Sequence, residues 1–150
     1  SVRTTLVQYL QRKLPAIPQR TAYSWAHVDD IAGIHIKALE ESKPGETYIV
    51  AGPTYTLVEA LKIAQEITGI PAPRALPPGL FGTMASVAGL VEPLAKLPDL
   101  YTSEGLRVLA GVTYIGSAAK ARRELGYNPR PLREGLQETL AHEMKLLGIK

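Results

Sequence analysis

Apolar positions along the chain fall into two rhythms, one of about 3.6 residues and one of two. Residues 2–14 place Leu6, Tyr9, Leu10 and Leu14 on one helical face, and Pro15 and Pro18 stop that helix. Tyr23 to Val28 alternate, with Tyr23, Trp25 and His27 on one face of a short strand and Ser24, Ala26 and Val28 on the other. Asp29-Asp30 then turns the strand into a helix, and either carboxylate can cap its free N–H groups. Ile31, Ile34, His35, Ala38 and Leu39 make its buried face, which places His35 in the core, and Lys43-Pro44-Gly45 ends it. Tyr48-Ile49-Val50, between Gly45 and Gly52, reads as a buried strand.

The second half of the pattern is mostly helical. Thr56-x-x-Glu59 is a capping box, Leu57, Ala60, Leu61, Ala64 and Ile67 form the stripe behind it, and Gly69 closes the helix. Residues 70–79 carry Pro71, Pro73, Pro77 and Pro78 and read as an extended connector. Residues 79–97 read as a well-covered apolar helix broken by Pro93, and Thr102–Leu109 as a shorter one. Tyr114-Ile115 fits a two-residue strand, and Ser117 caps a helix through Leu125 that Gly126 closes. Pro131 opens the last helix, whose stripe is Leu132, Leu136, Leu140, Met144 and Leu147, with His142 off it. Strand, helix, strand, helix is the cadence of an α/β layer.

Composition narrows the class. An apolar fraction of 45% and a charged fraction of 21% are those of a globular domain, and no apolar run approaches the ~20 residues of a membrane span. Without cysteine there is no disulfide framework and no thiolate metal site, as suits a cytoplasmic protein. The net charge of +3 is spread thinly. Its longest basic cluster, Arg122-Arg123, lacks interleaved aromatics and is no nucleic-acid footprint.

Three short patterns imitate chemistry. Tyr9-x-x-x-Lys13 has the spacing by which a lysine one turn away activates a phenol, but its helix ends at the lysine. Gly79-x-x-Gly-x-x-Ala85 approaches a dinucleotide fingerprint, but Pro77-Pro78 precedes it where a buried strand is needed. Ser117-x-x-Lys120 lacks the Ser-Asp-Asn and Lys-Thr-Gly partners of a serine hydrolase, and reads as a cap beside a surface lysine. His27, Asp29 and Asp30 are an unpromising metal set, because neighbours along a strand end rarely converge on one ion.

His27-Val28-Asp29-Asp30-Ile31-Ala32 resembles a segment of the extended short-chain dehydrogenase/reductases, the family of NAD(P)-dependent epimerases, dehydratases and dihydroflavonol-reductase-like enzymes. Gly45-Glu46-Thr47-Tyr48 followed by Thr56-Leu57-x-Glu59 and Thr68-Gly69 resembles the family's next strand and helix. Lys120-Ala121-x-x-x-Leu125-Gly126-Tyr127-x-Pro129 and Leu132-x-Glu134-Gly135-Leu136 resemble its terminal signature.

The resemblance implies an α/β fold: the helix-rich C-terminal part of a Rossmann-type enzyme with two or three short strands. Residues 1–69 would complete the Rossmann-side layer, and 70–150 would be the mostly helical substrate side. NAD or NADP would belong to the full-length parent and not to this chain alone. The cofactor loop and the catalytic serine, tyrosine and lysine would lie in a missing N-terminal half, so no residue here is assigned to catalysis, cofactor or metal.

Nucleotide-sugar members often carry an arginine where Tyr23 stands and another in the stretch matching Ala110-Gly111-Val112, and both are absent. That departure favours a less charged small-molecule substrate, with Tyr23, Trp25 and Arg107 as candidate binding residues. Core packing of Tyr23 and Trp25, and a surface role for Arg107, are the competing readings. A non-enzymatic binding module that reuses the half-fold is the functional alternative. An incomplete sheet should expose a strand edge or apolar patch, or hide it in a homo-oligomer.

Overall fold

The computed structural model describes residues 2–77, 79, 80, 83 and 113–149. Among them are five helices: α1 (Val2–Leu10), α2 (Val28–Glu41), α3 (Leu57–Thr68), α4 (Ala119–Leu125) and α5 (Leu132–Leu147). Five short strands accompany them: β1 (Ala16–Pro18), β2 (Ala22–Ser24), β3 (Thr54–Thr56), β4 (Arg74–Leu76) and β5 (Thr113–Tyr114). The expected helices over 79–97 and Thr102–Leu109 lie outside the described residues, except that Gly79, Leu80 and Thr83 are helical. The chain divides into two units, Ser1–Ala22 with Thr56–Thr113 and Tyr23–Tyr55 with Tyr114–Lys150.

In the first unit α1 stops earlier than the sequence suggests. Arg12 takes a left-handed φ of 57°, its N–H bonds the Tyr9 carbonyl, and the Lys13 N–H bonds that of Gln8. That is the terminating hydrogen-bond pattern glycine usually adopts, here built on arginine. Leu6, Tyr9 and Leu10 are buried as their spacing predicts. The stretch read as a stop and a connector instead supplies two strands. β1 and β4 pair in parallel, Ile17 opposite Ala75, and the Gln19 N–H extends the ladder to the Leu76 carbonyl.

Helix α3 packs on β1 and buries Leu57, Ala60, Leu61 and Ala64. The capping box is complete. Thr56 Oγ1 accepts from the Glu59 N–H at 3.1 Å, Glu59 Oε2 accepts from the Thr56 N–H at 2.7 Å, and Gly69 closes the helix at φ 70°. Thr56→Ala removes both the acceptor and the lock on Glu59. Its expected cost is about 1 kcal/mol in urea denaturation, with the midpoint shifted and the slope unchanged.

In the second unit α2 packs on α4, and Ile34, Ala51, Ala118, Ala121, Leu125 and Tyr127 form the core, flanked by Ala38, Tyr48 and Val50. Helix α5 buries Leu132, Leu136, Leu140 and also Glu143, while His142 is exposed and Met144 and Leu147 are half-buried.

Two expectations fail here. Only Ile34 of α2 is buried; Leu39 is 88% exposed and His35 is exposed, its Nδ1 against the Ile31 carbonyl at 2.7 Å. A helical stripe is buried only where a second surface meets it: the core meets Ile34 and Ala38, while none of the described residues covers His35 and Leu39. Tyr48-Ile49-Val50 is not a strand either. It has no ladder partner among the described residues, and Ile49 is 58% exposed while its neighbours reach the core.

Candidate functional site

The candidate pocket residues gather on a small sheet ordered β3–β2–β5. Tyr23 lies on β2, and Trp25 follows it on the same face. The ring centroids of Tyr23 and Trp25 are 5.9 Å apart at 88°, edge to face. Trp25 is buried, its indole N–H donating to the Tyr55 carbonyl at 3.0 Å and its backbone N–H to Pro53 at 2.9 Å. Tyr23 is half-buried, and burial raises its phenol above the usual tyrosine range, with the nearby Tyr114 adding to the effect. Tyr114 on β5 is the residue the sequence reading missed. It stacks on Tyr23 at 6.2 Å and 9°. The signal was present in Tyr114-Ile115 as a short strand, but which strand it joins is not written locally. Arg107 lies outside the described residues.

The strand–helix junction next to this face is organised by long-range contacts. The cap of α2 is His27, not Asp29 or Asp30; its Nδ1 accepts from the Asp29 N–H at 3.4 Å. The other ring nitrogen, Nε2, faces Glu138 Oε2 at 3.7 Å. The two aspartates stand in the first helical turn instead. Asp30 accepts from the backbone N–H of Arg130 at 2.9 Å and from its Nε at 3.0 Å. The same guanidinium reaches both oxygens of Glu138 at 2.8 and 2.9 Å.

His27, Asp29 and Glu138 bring ligand atoms within 4.8 Å of one another, so Glu138 takes the place that the sequence suggested for Asp30. The donor set does not suit a cation. Nδ1 is spent on the helix cap, and Arg130 already occupies Glu138 with its own positive charge.

The imitation motifs resolve in the same way. Tyr9 is 2% exposed and donates to the Ile70 carbonyl at 2.6 Å; burial raises its phenol, the reverse of activation. Lys13 lies beyond the end of α1. Lys120 is bound to Glu46, which raises its ammonium and keeps it charged, and it sits 4.6 Å over the Tyr48 ring. Ala118, not Ser117, stands at the N-cap of α4, with no side-chain cap bond, and Ser117 Oγ accepts from the Ala119 N–H at 3.4 Å.

Arg74–Leu76, ahead of the Gly79 pattern, is a strand after all; among the described residues it pairs with β1 alone, and Pro77 and Pro78 follow it at once in the sequence. Gly82 and Ala85 lie outside the described residues.

No protein-family model matches the chain. Sterol demethylase protein B of Methylococcus capsulatus is 29% identical over 126 residues, 80% of this chain and 37% of that protein. A Synechocystis protein named for dihydroflavonol 4-reductase is 29% identical over 141 residues, 90% of this chain and 40% of that one. The UDP-glucose 4-epimerase of Stenotrophomonas maltophila, solved with NAD and a formylated UDP-arabinopyranose bound, superposes with a TM-score of 0.64 at 18% identity, over 99% of this chain and 40% of its own. The chain therefore spans about two fifths of the length of the proteins it matches. Its relatives carry demethylase and reductase names, its structural neighbours include epimerases solved with NAD, and the chain has the fold of a fragment of a Rossmann-type epimerase.

Proposed function

We propose that the chain is the substrate-binding part of an NAD(P)-dependent sugar epimerase or dehydratase, or of a dihydroflavonol-type reductase, and is catalytically silent by itself. The observation that carries this is coverage: 99% of the chain superposes on 40% of an epimerase. Residues 1–69 complete the Rossmann-side layer, and 70–150 form the helical substrate side. The unpaired run Tyr48–Val50 supports the reading, because Ile49 and the backbone edge beside it suit a neighbouring strand from an N-terminal half. Without that half, self-association covers the edge. The substrate is a small molecule, the dinucleotide sits on the missing half, and the compartment is the cytoplasm. No helix among the described residues is long and apolar enough to cross a membrane.

The test is calorimetric titration with NADH and NADPH. The 150-residue chain should show no binding. The same chain extended by the coding sequence that precedes it should bind one of the two. Equal binding by both proteins, or none by either, would sink the reading.

A further inference from the structure

We infer that Tyr114, stacked on Tyr23, forms the wall against which a flat, uncharged ring of the substrate lies, and that this pair sets substrate class. The assignment rests on the chain being a substrate-binding part.

Three observations carry it. Tyr23 is held in place: Trp25 braces it edge-on at 5.9 Å, and Trp25 is itself tied to Tyr55 and Pro53. Tyr114 lies nearly parallel to Tyr23, at 9°, yet is 61% exposed, so much of the outer side chain of the stack is left to solvent. A large aromatic side chain left this open on a fixed base loses little conformational freedom when a ring is added to it.

The third observation is charge. Residues 22–28 and 113–119 include no lysine or arginine. Of the cations in the same unit, Lys120 is bound to Glu46 and Arg130 to Asp30 and Glu138. The hydroxyls beside the stack are used internally: Ser24 Oγ accepts from the Gly116 N–H at 3.1 Å and meets Thr54 Oγ1 at 3.5 Å. Among the described residues, nothing at this face is placed to fork onto a diphosphate, whereas the ring faces suit an aromatic or fused-ring compound.

Trp25 is the single tryptophan, which makes its emission a local reporter. Taxifolin, a dihydroflavonol, is the probe, with N-acetyltryptophanamide correcting for absorbed light. Taxifolin should quench Trp25 saturably. Tyr114→Ala should weaken the affinity about five- to tenfold with the far-UV dichroism unchanged, and Tyr114→Phe should restore it. UDP-glucose should neither quench nor displace taxifolin. Absence of saturable quenching, an affinity that Tyr114→Ala leaves alone, or displacement by UDP-glucose would each overturn the assignment. None of these outcomes bears on nucleotide binding by the extended chain, so the two readings fail separately.

Discussion

Gly52→Ala is expected to destabilise the chain by about 4 kcal/mol or more. A Cβ at that position would stand 1.5 Å from the Trp25 carbonyl oxygen, 2.5 Å from its carbon and 3.1 Å from the Ala26 Cα. These are backbone atoms, which cannot swing away as the end of a side chain can. The neighbouring bonds hold them there: the Trp25 N–H reaches the Pro53 carbonyl and its indole N–H the Tyr55 carbonyl. Relieving the clash means separating 52–55 from 24–26, which breaks both bonds and uncovers the buried indole. Each lost buried bond costs on the order of 1–3 kcal/mol, and the exposed indole adds to that, for about 4 kcal/mol or more in total. A domain with ~5–15 kcal/mol of stability has little margin for such a loss. Gly33→Ala is the control. Its Cβ meets nothing within 4 Å in the middle of α2, so helix propensity alone should stabilise it by up to about 1 kcal/mol. Thermal melting followed by circular dichroism separates the two; equal melting of Gly52→Ala and the parent would refute the close approach.

What could be read in advance was local. Thr56-x-x-Glu59, the glycines closing α3 and α4, and the stripe on α5 as far as Leu140 depend on neighbours within two turns, and they appear as expected. What could not be read depended on a surface contributed from elsewhere. The stripe on α2 was plain in the sequence, but burial needs an opposing face, so His35 and Leu39 lie open to solvent. Tyr48-Ile49-Val50 has strand composition without a strand to pair with. Conversely, β1 and β4 are triplets set among prolines, too short to be read as strands locally, and each is a strand because the other lies beside it. At the candidate site, alternation put Tyr23 and Trp25 on one face, while Tyr114 came from a distant strand. His27 holds the cap, and Asp30 is claimed by a residue 100 positions away.

That claim sets the second large effect. Asp30→Asn should cost about 2–3 kcal/mol at neutral pH, and the cost should shrink on acidification. The Asp30 side chain is 13% exposed and that of Arg130 21%. Three donors converge on the carboxylate: the Arg130 backbone N–H on Oδ2, and its Nε and Nη2 on Oδ1. Asparagine keeps one oxygen but turns an NH₂ toward a donor, and it leaves the guanidinium sharing only Glu138.

Burial alone would raise the Asp30 carboxyl. The hydrogen bonds from Arg130 and its charge, with His27 adding, outweigh burial and hold it below the usual aspartate range. A carboxyl depressed in the folded state contributes stability fully above its unfolded pKa of about 3.9, and that contribution is lost as pH falls through the lower folded value. Urea denaturation at pH 7 and near pH 3 should therefore show the gap between parent and Asp30→Asn narrowing at the acid end. A gap that stays constant or widens there would mean that the charge on Asp30 is not what ties the start of α2 to the segment leading into α5.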